Sequence, residues 1–148
     1  MLMEMALVLA IKNSPHSAVA KQEHKCLVDN IIYEASNQGT KGMRLVAEVA
    51  LNRIANKPNA VSMCEVVYEP SQFSWTSTKK ENLRKYTKEE ENKAYQILYS
   101  YLYGDLNKIL PSNVLNYLNT KIATDLSWYT PDKVIYRYKD HTFLANVR

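Results

Sequence analysis

The residue that first invites a chemical reading is Glu34, in the stretch NIIYEASNQGTKGMRLVAEVALNRI. It stands at the end of an apolar segment and just before a polar loop that carries Gly39 and Gly42. A carboxyl group partly buried against apolar neighbours resists ionisation, and an acid that keeps its proton near neutral pH can protonate the leaving oxygen of a glycosidic bond. Glu48, fourteen residues on, is the nearest rival: a second acid, or a buried partner for Arg44 or Arg53. On position alone Glu34 is one candidate among many, since most glutamates on amphipathic helices are solvated.

Other chemistries find less support. The chain has no G-x-S-x-G elbow, no phosphate-binding glycine loop and only three glycines in all. Cys26 and Cys64 are too few for a disulfide scaffold and form no CxxC pair, so they read as two small buried hydrophobes. His16, His24 and His141 have no metal-ligand spacing, and neither a metal nor another cofactor is expected. The net charge of +4 favours anionic polymers without choosing among them. Tyrosines alternating with basic residues in YRYKDHTF suit a half-buried sheet face better than a nucleic-acid surface.

The elements that must hold these groups can be read from periodicity. At about 100° per residue, Leu27, Val28, Ile31, Ile32 and Ala35 form one broad apolar face, which predicts a helix over about Lys21–Ser36 with Glu34 at the edge of the stripe. From Met43 to about Ala55 apolar positions run almost all the way round, as in a central, buried helix. Thr87 and Glu90 have capping-box spacing at the head of a third helix, and Gly104 is a natural stop. After Pro111, NVLNYLN predicts a strand, and KVIYRYKDHTFLANV predicts two more around a turn near Lys139-Asp140. This is an α+β pattern: helices first, a small antiparallel sheet near the C-terminus. Length suits a single domain over residues 1–148, divided into an N-terminal segment (1–20), a helical part (21–110) and a small β part (111–148). The apolar run MALVLAI is short and lacks basic residues before it, so it reads as a helix or strand of the fold, with Ala18-Val19-Ala20 leaving a weak or absent export signal. Nothing approaches a membrane span of roughly twenty apolar residues.

Read in order, these segments resemble the SleB-type cell-wall hydrolases, a family that includes spore-cortex-lytic enzymes and related phage endolysins. The matching pieces are Tyr33-Glu34-Ala35, Gly42, Leu51-Asn52-Arg53, Cys64 to Tyr68, and Gln72-Phe73-Ser74. The likeness thins after Trp75, returning in NVLNYLN, in Trp128 and in His141-Thr142-Phe143. Ser36 stands where the family usually has arginine, the second glutamate of its Glu-Ala-Arg-Gly-Glu run is missing, and Glu48 replaces a small apolar residue.

The resemblance implies a mainly helical, lysozyme-like N-terminal part and cleavage of the peptidoglycan glycan backbone, with Glu34 as catalytic glutamate. It implies a lytic transglycosylase, an endolysin whose partners are glycan strands and which works as a monomer without nucleic acid or membrane insertion. Such a protein is made in the cytoplasm and released to the wall by phage-directed lysis. Gln72, Ser74 and Asn119 become candidates for hydrogen bonds to sugar groups, and Phe73, Trp75 and Tyr117 for the walls of a groove. Asn52, Arg53, Trp128 and His141 are expected to serve packing. Three alternatives remain open: a hydrolytic muramidase pairing Glu34 with Glu48 or Asp125, an amidase, and a non-catalytic wall-binding module.

Overall fold

The computed structural model describes residues 18–57, 62–69, 73–119 and 127–146. The apolar N-terminal run, Gln72 and Asp125 therefore lie outside the described residues. Among the described residues four α-helices precede three strands: α1 (Ala18–Ala35), α2 (Gly39–Ala55), α3 (Met63–Val67), α4 (Lys88–Leu102), β1 (Val114–Asn119), β2 (Val134–Tyr138) and β3 (His141–Ala145). The expected α+β order is thus present, with helix boundaries within a few residues of those predicted.

The buried stripe of α1 is the one that its periodicity marks: Leu27, Val28, Ile31, Ile32 and Ala35 are all in the core. They pack with α2, α3, α4 and Trp75 into one hydrophobic cluster. α2 is buried around most of its circumference because it serves two cores. Met43, Val46, Ala50 and Ile54 face the helices. Leu45 and Val49 face Val114, Phe143 and Ala145 of the sheet. The capping box of α4 forms as spelled: the Glu90 amide donates to the Thr87 hydroxyl, and the Thr87 amide donates to the Glu90 carboxylate.

The sheet is antiparallel in the order β1-β3-β2, so the last strand sits in the middle. Tyr117 lies opposite Phe143, Asn119 opposite His141, and Tyr138 opposite His141 on the other side. The β2–β3 hairpin turns at Lys139-Asp140, where Lys139 adopts a left-handed φ of 49°. Asn52 and Arg53, at the end of α2, clamp that helix to the sheet. The Asn52 amide donates to the carbonyls of Pro111 and Val114, and the Arg53 guanidinium to the carbonyl of Leu115.

The reading of the cysteines needs correction. Cys26 on α1 and Cys64 on α3 form a disulfide, with Cα atoms 5.3 Å apart. That separation is ordinary for a bridge. Nothing local in the sequence announces it: the partners are 38 residues apart and meet only because α3 packs across α1.

Candidate active site

Glu34 occupies the last turn of α1, and three residues, Ser36 to Gln38, connect it to α2. The join is tight. The Ser36 amide donates to the Ile32 carbonyl and the Gln38 amide to that of Ala35, while Gly39 takes a φ of 79° that a side chain would strain. Gly42 is held small for another reason: an added Cβ would lie 2.4 Å from the Gln38 Cβ. Glycine at 42 lets the start of α2 close against the loop that follows Glu34.

The carboxyl of Glu34 is partly buried, and that burial pushes its pKa up to about 7. Tyr117 of β1 opposes the shift by favouring the carboxylate. The Tyr117 hydroxyl is itself buried and completes no hydrogen bond of full geometry among the described residues, yet it is close enough to feel Glu34. Burial first, then the negative charge of Glu34, raise its own pKa, so it stays a proton donor at neutral pH. An acid that holds its proton up to about neutrality, facing a neutral phenol, can donate that proton and afterwards be stabilised as a carboxylate.

The ring of Tyr117 is fixed from three sides. It lies 4.9 Å from the ring of His141, 5.4 Å from Phe143 and 6.4 Å from Phe73 between centroids. The guanidinium of Arg53 lies over the ring of Phe73, 5.7 Å from its centroid. Phe73 is thus a buried support behind Tyr117, not an exposed sugar platform. Asn119 stands two residues along β1, on the same face as Tyr117 and opposite His141. Ser74 is exposed. Trp75 turns the other way: it is 8% exposed, its ring lies 5.0 Å from Tyr33, and its indole N–H donates to Asn30 at 2.8 Å.

Glu48 is fully buried, on the side of α2 that meets the 107–111 segment. Its carboxyl oxygens accept from the amides of Ile109 and Leu110, at 2.9 and 2.8 Å, and from the Tyr101 hydroxyl. These bonds engage both oxygens of the group. Arg44 donates to Tyr101 and to the Asn107 carbonyl, and so belongs to the same junction without pairing directly with Glu48.

Two side chains left out of the sequence-derived set join this end of the molecule. Gln38 and His141 are nearly inaccessible, and Gln38 Oε1 and His141 Nδ1 have no partner among the described residues. Burial lowers the pKa of His141, with Asp140 opposing, so the imidazole is neutral at pH 7 and has a ring nitrogen to offer. The one sequence signal for His141 was its place in the His-x-Phe run. Gln38 had none beyond its distance from Glu34.

The chain has no significant match among curated proteins or solved structures. The family described as Cell Wall Hydrolase matches residues 37–144, a span that covers α2, α3, α4, all of the sheet but Ala145, and Tyr117. Most of the chain is matched, and this protein belongs to the cell-wall hydrolase family, whose members act on peptidoglycan.

Proposed function

We propose that this protein cleaves the bond between N-acetylmuramic acid and N-acetylglucosamine as a lytic transglycosylase, with Glu34 as both acid and base. The observation that carries the reading is the Glu34 carboxyl itself: partly buried at the end of α1, protonated up to about pH 7, and faced by the Tyr117 hydroxyl. The family match begins at residue 37, just beyond Glu34, so the role of this residue rests on its setting and on the resemblance of Tyr33-Glu34-Ala35 to the family's opening motif.

In the proposed reaction Glu34 gives its proton to the glycosidic oxygen as the bond to the muramic C1 breaks. The departing acetylglucosamine keeps that proton as a hydroxyl. The Glu34 carboxylate, with Tyr117 donating toward it, then accepts the proton of the muramic 6-hydroxyl as that oxygen bonds to C1. A 1,6-anhydro ring forms, Glu34 is protonated again, and no water is consumed. One carboxyl suffices, whereas direct hydrolysis ordinarily employs two. The engagement of Glu48 with the Ile109 and Leu110 amides favours this single-acid route. By the same resemblance we assign the protein to the endolysin type, acting on the wall of a lysing cell.

Two measurements test the proposal. Glu34→Gln should lose at least about a thousandfold in the clearing of permeabilised cells while keeping its fold, in line with removal of a general acid that is also the base. A folded variant that clears like wild type removes Glu34 from the chemistry. Mass spectrometry of digested peptidoglycan should show muramic ends lighter by one water. Reducing muramic ends would instead establish a hydrolytic muramidase, and free peptides with intact glycan an amidase.

A further inference from the structure

A concavity runs along α1 from Gln22 to Tyr33, the residue before Glu34. It encloses ≈ 690 Å³ between α1 and the 75–86 segment. Tyr33, Tyr68, Trp75 and Tyr86 supply its aromatic surface. The disulfide stands at its wall, because Cys26 lines it and Cys64 anchors the helix that leads to Tyr68. The groove is tied to the Glu34 end of α1 by two bonds. The Tyr33 hydroxyl donates to the Arg84 carbonyl at 3.1 Å, and the Arg84 guanidinium donates to the Ser36 hydroxyl at 2.6 Å.

Two features define what such a groove accepts. The first is the packing of its rings, which meet one another at tilted or edge-on angles: Tyr33 on Trp75 at 35°, Tyr33 on Tyr86 at 58°, Tyr68 on Trp75 at 65°. Trp75 is nearly buried and Tyr68 is half exposed. The rings form one connected aromatic wall, and the Tyr33 and Tyr86 hydroxyls are engaged by the Arg84 carbonyl and the Asp29 carboxylate. The second is charge. Lys25 is paired with Asp29, and Arg84 with Glu90. Lys80 and Lys85 also line the groove and make no ion pair among the described residues, against a single further carboxylate, Glu81. Small aliphatic groups suit the aromatic wall, and two carboxylates suit the two lysines.

We infer that this groove binds the acidic stem peptide of peptidoglycan, the segment attached to the muramic lactyl group beside the scissile bond. The inference rests on the glycan-cleaving reading and adds a specificity site to it. Stem peptides combine alanine methyls with free carboxylates, the two kinds of group for which the groove is built. Tyr33 is the residue before Glu34, so a peptide rooted next to the bond at Glu34 has only to cross the end of α1 to reach the aromatic wall.

The test uses the full chain carrying Glu34→Gln, with the tetrapeptide L-Ala-γ-D-Glu-L-Lys-D-Ala as probe and the Trp75 indole N–H resonance as readout. The chain has two tryptophans, so this signal is readily assigned. A saturable shift is expected, with affinity weakened about tenfold by Lys80→Ala/Lys85→Ala and by amidating the peptide carboxylates. In the parent enzyme the same double substitution should raise KM on peptide-bearing glycan several-fold, leaving kcat and the cleavage of peptide-free glycan unchanged. Absence of a saturable shift, or equal binding by the double variant, overturns the inference. Peptide binding is read without catalysis, so the two proposals fail separately: loss of Glu34 as the acid would show in clearing, loss of the stem-peptide site in this titration.

Discussion

At the scale of single residues, the proposed acid chemistry depends on a balance between the apolar surroundings of Glu34 and the hydroxyl of Tyr117. Burial raises the pKa of the acid to about 7 and Tyr117 restrains that rise. In the proposed reaction the reactive form is the protonated one, so kcat/KM should fall tenfold per pH unit above an apparent pKa near 7. Tyr117→Phe removes the restraint and should move this alkaline limb upward, while kcat falls because the carboxylate formed after proton transfer loses its donor. A limb that does not move on this substitution would detach Tyr117 from the acid. The same shift bears on stability. Between an unfolded pKa near 4.5 and a folded one near 7, the native state binds more protons than the unfolded chain, so stability declines as pH rises through that window and the penalty is complete above it. Glu34→Gln should therefore melt higher than wild type at pH 8, by an amount on the order of 3 kcal/mol at most, and show no such gain at pH 4. Melting curves at the two pH values decide this.

At the scale of elements, contacts between segments distant in sequence explain why parts of the site were legible and others not. Glu34 could be placed from the sequence because helix periodicity is local: the stripe from Leu27 to Ala35 fixes the edge on which it stands. The capping box and the Lys139-Asp140 turn were legible for the same reason. The setting of Glu48 was hidden because its partners, the Ile109 and Leu110 amides, are some sixty residues away and bear no sequence mark. Glu48→Gln turns an amide N–H₂ toward those donors and should destabilise the protein by about 2–3 kcal/mol, since buried donors are left unpaired. Its effect on clearing, measured per folded molecule well below the melting temperature, should be small. A large loss of turnover in a fully folded variant would return Glu48 to the chemistry. The disulfide was hidden in the same way, in the packing of α3 on α1. Closing a 38-residue separation removes about 4 kcal/mol of loop entropy from the unfolded chain, so reduction should lower stability by roughly that amount. Denaturant titrations with and without a reductant measure it, and an unchanged midpoint would show the bridge to be energetically idle.

At the scale of the whole molecule, a net charge of +4 acquires meaning only from its placement. Lys41, on the first turn of α2, lies over the rings of Tyr136 and Tyr138, and Lys139 lies over Tyr138 at the hairpin that borders Gly39. Lys80 and Lys85 border the groove on the Tyr33 side. Cations therefore stand on both sides of the α1 end that presents Glu34, and peptidoglycan brings carboxylates to either side of its glycan strand. Such exposed charges steer and retain a polymer without taking part in bond cleavage, and salt screens them: the Debye length falls from about 10 Å at 0.1 M to about 3 Å at 1 M. The clearing of whole walls should accordingly slow several-fold between about 0.05 M and 0.5 M sodium chloride, through weaker binding, as expected for attraction acting over more than a Debye length. Turnover of a short soluble glycan fragment lacking peptides should change less than about twofold over the same range, because the proposed acid Glu34 and its neighbour Tyr117 are partly buried and salt screens them little. If both substrates slow alike, the salt acts on the site or the fold, and the flanking lysines have no share in holding the wall.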